Sequence, residues 1–168
     1  MDAVNQSNVN AFWVACRFGH GEVMRRLACA GIDVMTCDNN GVNCMHLAVL
    51  RDHGHILQML LDSGFPLDLT TNDGFTAIHL AARYRRKEIM DIFLAHLDKD
   101  LRLKKKIVNM KCKKTNSPAL SIAIANDCDD IAIQLIENDA KIFISDNAET
   151  RIASPIFEAI IHRKLEIL

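Results

Sequence analysis

The side chains with the most chemical potential in this chain are seven histidines, six cysteines and a run of lysines. His53 and His55 are residue types that bind metal ions, but a metal site needs further ligands at matching spacing. None stands near in the sequence, so no metal site and no cofactor are expected. Cys16, Cys29, Cys37, Cys44, Cys112 and Cys128 could close three disulfides or hold zinc. They form no Cys-x-x-Cys pair, and Cys16 falls at a small-residue helix position, so they read as reduced thiols of a reducing compartment. The chain contains no Gly-x-Ser-x-Gly elbow, no phosphate-binding glycine loop and no Cys–His pair with a recognisable signature. Glu22 and Glu88 recur at the start of helical segments, where a carboxylate favours the positive end of the helix dipole. No enzymatic activity is expected of this chain.

The lysine run is the strongest local charge. Lys99, Arg102, Lys104, Lys105, Lys106, Lys111, Lys113 and Lys114 stand against Asp100 alone, in a chain whose net charge is −1. Such a patch can attract acidic lipid head groups, nucleic acid or an acidic peptide. It can equally be a solvated helix end whose lysines favour the negative dipole terminus. An acidic stretch, Asp127, Asp129 and Asp130 with Glu137 and Asp139, is expected to neutralise part of it.

The elements that position these residues repeat. Asn43-Cys44-Met45-His46-Leu47-Ala48 matches Thr76-Ala77-Ile78-His79-Leu80-Ala81 at a spacing of 33 residues, with Gly41 and Gly74 ahead of them. The closing alanine recurs as Ala15, Ala48, Ala81, Ala123 and Ala159, at intervals of 33, 33, 42 and 36. Eight residues after each comes Val23, Ile56, Ile89, Ile131 or Ile167. A fixed period of this length marks a stacked array. The third interval carries nine extra residues, and Leu97, Leu101, Ile107 and Val108 within it predict that a helix extends about two turns.

With its Asp-x-x-Gly-x-Thr-Pro-Leu-His-Leu-Ala-like segments, the chain closely resembles the ankyrin-repeat family over essentially its whole length. The resemblance implies an all-α solenoid of stacked helix-turn-helix units joined by short β-hairpin fingers, in one domain. The units span about 5–37, 38–70, 71–112, 113–148 and 149–168. It also implies that His46 and His79 hydrogen-bond backbone in the loops between units. Trp13 and Ser121 replace that histidine in the first and fourth units, and Asn116 replaces the finger glycine in the fourth.

Finger tips and first helices line the partner groove in proteins of this kind. Carried over position by position, the implied surface is Arg17 and Phe18 in the first unit, and Asn39, Asn40, Val42, Leu50 and Arg51 in the second. The third contributes Asn72, Asp73, Phe75, Arg83 and Tyr84, and the fourth Ala125 and Asn126. Aromatics beside arginines are the types that dominate binding hot spots, which makes the third unit the expected centre. The expected activity is protein–protein interaction, with electrostatic binding of acidic lipid or nucleic acid by the lysine cluster as the alternative.

No apolar run approaches the roughly 18 residues of a membrane span, and the N-terminus lacks the basic and apolar regions of a secretory signal. A cytoplasmic or nuclear monomer is expected. The last unit stops near the start of its second helix, so the chain reads as the repeat region of a longer protein, with Ile160, Ile161, Leu165 and Ile167 partly exposed.

Overall fold

The structure, a computed structural model, describes residues 9–141. The fifth unit, with Ala159, Ile167 and the expected exposure of its aliphatic residues, lies outside the described residues, as does Asn8 of the first finger. Among the described residues there are nine helices. They are α1 (Ala11–Arg17), α2 (Gly21–Cys29), α3 (Cys44–Leu50), α4 (Gly54–Asp62), α5 (Ala77–Arg83), α6 (Lys87–Leu97), α7 (Leu101–Val108), α8 (Ala119–Ala125) and α9 (Asp129–Glu137). Four pairs, α1/α2, α3/α4, α5/α6 and α8/α9, are the helix-turn-helix units.

The first helices pack in the series α1, α3, α5, α8, and the second helices in the series α2, α4, α6, α9. Each first helix has seven residues, and the repeated alanine is the fifth of them every time. Ala48, Ala81 and Ala123 are fully buried, because a side chain that ends at Cβ lets adjoining helices approach closely. α3 buries Cys44 to Val49 and α5 buries Ala77 to Ala82, sandwiched as they are between neighbouring units. The second helices bury one stripe. In α6 it is Ile89, Met90, Phe93, Leu94 and Leu97, apolar residues at helical spacing.

The β-branched register holds with one exception. Ile56, Ile89 and Ile131 are buried, whereas Val23 is exposed. Ile56 reaches back to the first unit, its Cδ1 lying 3.3 Å from where a Cβ on Gly21 would stand. No described unit precedes α2, so Val23 has nothing of that kind to reach.

Turns repeat as regularly as helices. Gly19, Asp52, Arg85 and Asp127, each four residues after a motif alanine, have positive φ of 76, 60, 56 and 52°. The fingers are single-rung turns rather than paired strands, with Thr71 N–H donating to Phe75 C=O at 2.9 Å and Gly74 N–H to Thr71 C=O at 2.8 Å. One isolated bridge, Lys111 with Pro118, is the only β pairing among the described residues. The expected hairpins are therefore too short to count as strands. Asn116 takes the left-handed role of the finger glycine at φ 51°.

The enlarged third unit departs from expectation. Gly31, Gly64 and Asp139 turn left-handed sixteen residues after their alanines, at φ 80, 75 and 64°. Leu97 holds that position in the third unit and is buried as the last residue of α6. Without a left-handed stop there, the chain runs on to Asp100, whose carboxylate accepts the N–H groups of Arg102 and Leu103 at 2.9 and 3.1 Å and starts a separate helix. The extra residues thus lengthen α6 by only two residues over α2, α4 and α9, and for the rest build α7 as a separate helix.

Candidate functional site

His46 and His79 tie each unit to the next finger. His46 Nδ1 accepts the Asn43 N–H at 3.3 Å, which leaves its Nε2–H to donate to the Leu69 carbonyl at 3.2 Å. His79 repeats this with Thr76 N–H at 3.3 Å and the Met110 carbonyl at 3.0 Å. Burial pushes both imidazoles toward the neutral form, His46 to a pKa of about 4. Trp13 performs the same task in the first unit, where its indole N–H donates to the Val42 carbonyl at 2.7 Å. This equivalence is hidden in the sequence, since indole and imidazole share only a ring N–H that can reach a carbonyl.

His53 and His55 do not assemble as ligands. His53 Nε2 lies 3.4 Å from the Arg17 carbonyl and His55 Nε2 3.1 Å from the Gly19 carbonyl, clasping the turn of the first unit. Among the described residues no group of three or more metal-binding side chains gathers. The six cysteines are free thiols, four of them buried. Cys16 Sγ–H donates to the Cys44 carbonyl at 3.3 Å. Contact with the Cys16 thiol, together with burial, pushes the Cys44 thiol up and keeps it protonated.

The predicted groove residues fall into two groups. At the finger tips, much of the polar capacity is spent between fingers. Asn72 donates its backbone N–H to the Asn40 carbonyl and its side-chain amide to the Asn39 carbonyl, both at 2.9 Å. The Asp73 carbonyl accepts the Lys114 N–H, and its carboxylate pairs with Lys114 Nζ, both at 3.1 Å. A Cβ on Gly74 would stand 2.5 Å from the Lys113 nitrogen, so successive fingers touch backbone to backbone there. Val42 is half-buried. Phe75, expected as an exposed aromatic, is only 6% exposed: its ring packs edge-on to His79 with centroids 6.3 Å apart.

The last turns of the first helices form the second group, and it is open except at Leu50, which is half-buried against the core. Arg17 and Phe18, Leu50 and Arg51, and Arg83 and Tyr84 occupy equivalent positions in three successively packed units. Exposure reaches 63% at Phe18 and 49% at Tyr84. The Arg83 guanidinium lies 5.2 Å from the Phe75 centroid and 6.0 Å from that of Tyr84, which places the third finger beside the last turn of α5. Arg17 lies 5.8 Å from the Trp13 ring. In the fourth unit Ala125 is exposed and Asn126 half-buried, its carbonyl accepting from Arg85.

The lysine cluster is divided, not continuous. Lys104 is 8% exposed and pairs with Asp98 at 2.5 Å. Lys106 pairs with Asp68 at 2.8 Å, a contact that lowers the Asp68 pKa, and Lys114 pairs with Asp73. These partners come from the second and third units, whereas Asp130 of the acidic stretch pairs with Lys87 at 3.7 Å. Lys111 is half-buried, while Lys99, Arg102, Lys105 and Lys113 remain exposed. The sequence counts these charges but cannot show which of them face the body of the protein.

The family model for ankyrin repeats (3 copies) matches residues 1–105 and again 65–146. The chain belongs to the ankyrin-repeat family. A search of curated proteins finds no match. Ankyrin repeats are in general protein–protein interaction modules and typically non-catalytic. No helix among the described residues of this ankyrin-repeat protein is long and apolar enough to cross a membrane.

Proposed function

We propose that this chain binds another protein through the face made by the last turns of α1, α3 and α5, with the finger tips as its rim. The observation that carries this is the grouping of Phe18, Arg51 and Tyr84, exposed at equivalent positions of three packed units whose first helices are otherwise largely buried, with Arg83 exposed beside Tyr84. Large aromatics and arginines on a rigid support lose little freedom on binding and dominate interface energies. Arg83 and Tyr84 form its centre, and Phe75 supports Arg83 from below. The paired finger residues Asn72 and Asp73 hold the rim in place. The chain supplies the binding surface and no catalytic group.

Replacing Arg83 and Tyr84 together by alanine is expected to abolish partner capture while leaving thermal unfolding nearly unchanged. Loss of the fold instead would assign the pair a packing role. Electrostatic binding through the lysine region is weakened as an alternative by the pairing of Lys104, Lys106 and Lys114. Charge reversal at Lys99, Arg102 and Lys105, which have no ion-pair partner among the described residues, is the clean test of it, and normal capture by that variant is expected.

A further inference from the structure

We infer that the segment recognised on this face is an extended, acidic peptide whose carboxylates recur at about every third residue. The inference rests on the face being the partner surface and specifies its chemistry. Each of three successive units contributes one exposed cation to it: Arg17 and Arg83 two residues after their motif alanines, and Arg51 one residue further on, at the position of Phe18 and Tyr84. Among the described residues none of them has a carboxylate at ion-pair distance, in contrast to Arg25 and Arg26 with Glu22, Arg86 with Asp52, and Lys87 with Asp130. These exposed guanidiniums are therefore available to an anionic ligand.

Aromatic neighbours attract two of these groups. The Arg17 guanidinium lies 5.8 Å from the Trp13 centroid, and that of Arg83 lies 5.2 and 6.0 Å from those of Phe75 and Tyr84, within cation–π range. A guanidinium held by its face on a ring keeps its N–H edge available, and that edge matches the two oxygens of a carboxylate. Such contact also removes rotamer freedom before the ligand arrives. Phe18 and Tyr84 then offer apolar surface between the charges.

Spacing sets the repeat of the ligand. Packed helices stand about 8–10 Å apart, and a chain extended as a polyproline II helix rises about 3.1 Å per residue with three residues per turn, which returns every third side chain to the same face. Arg17, Arg51 and Arg83 thus meet side chains separated by about three residues. A polynucleotide fits less well, since non-specific binding to it rests on many neutralised phosphates and this chain has a net charge of −1.

The test is a displayed library of random peptides about ten residues long, selected on the whole chain and on Arg51→Glu, Arg83→Lys and Phe18→Ala/Tyr84→Ala variants. Circular dichroism and melting temperature establish that each variant is folded. Enrichment of Asp and Glu at every third position on the unaltered chain is expected. A synthetic peptide of the enriched sequence should lose roughly tenfold or more in affinity to Arg51→Glu, and several-fold to Arg83→Lys, which keeps the charge but not the planar fork. Its Glu→Gln version should bind as weakly as an unrelated peptide. Enriched peptides without acidic residues that nonetheless need Phe18 and Tyr84 would overturn the acidic ligand and leave the face standing as the partner surface. Acidic peptides insensitive to all three variants but lost on Lys99→Glu/Arg102→Glu/Lys105→Glu would overturn both. Equal competition by a single-stranded oligonucleotide or by phosphatidylserine vesicles would show that bulk negative charge is read, and would overturn the proposal, as would the absence of any enrichment.

Discussion

His46 and His79 are the residues on which successive units depend most directly. Each donates from Nε2 to a carbonyl of the following finger and accepts on Nδ1 from its own helix N-terminus, so protonation of either ring would remove an acceptor from a buried site. His46 has an ordinary value of 6.5 that falls to about 4 in the folded chain. Between these values the unfolded chain takes up a proton that the folded chain refuses. Stability is therefore full above pH 6.5 and declines as pH falls toward about 4, by about 3 kcal/mol for this group. The melting temperature should fall by roughly 5–10 °C between neutral pH and about pH 4.5. A flat profile over that interval would show that the imidazole is not held neutral. Trp13 gives a second test at this scale. Trp13→Phe removes the indole donor to the Val42 carbonyl, which still accepts the Asp38 N–H, and leaves space in a buried site. It should lower stability by about 1–3 kcal/mol in a denaturant titration.

Among the elements, the seven-residue first helices are the most constrained and α7 the least expected. Ala81 is fully buried in α5, which packs between α3 and α8. Ala81→Leu should force the helices apart and cost about 1–3 kcal/mol by overpacking, measured by chemical denaturation. A neutral outcome would contradict the packing described for α5. The alanine and isoleucine registers were legible in the sequence because close packing dictates residue size at those sites. α7 was not, since its apolar residues suit a longer α6 equally well, and the break depends on what Leu97 and Asp100 do. Leu97 stands where other units turn left-handed, and Asp100 caps the new helix. Asp100→Ala should therefore destabilise α7 by about 1 kcal/mol and raise amide exchange over Leu101–Val108. Unchanged exchange there would mean that packing alone starts the helix. The divided lysine cluster was illegible for a related reason: pairing of Lys106 with Asp68 joins residues far apart in sequence, and only the docked α7 brings them together.

At the scale of the molecule, stability in a stacked array is roughly a sum of unit and interface terms. The proposed face uses residues of that arrangement that are not needed to pack it. Its last-turn residues, Arg17 and Phe18 through Arg83 and Tyr84, were legible because they fall at fixed distances from the motif alanines. The finger contribution was read less well. Phe75 is buried beneath Arg83, and Asn72 and Asp73 bond to neighbouring fingers. The most direct measurement of the proposed surface is site-specific photo-crosslinking in the whole chain, with a benzophenone amino acid placed at Arg51 in one variant and at Lys105 in another. A protein partner should be captured from position 51 and not from position 105, and the crosslink at 51 should vanish when Arg83 and Tyr84 are alanine. Capture from position 105 alone, unaffected by those alanines, would contradict the assignment of the first-helix face as the binding surface.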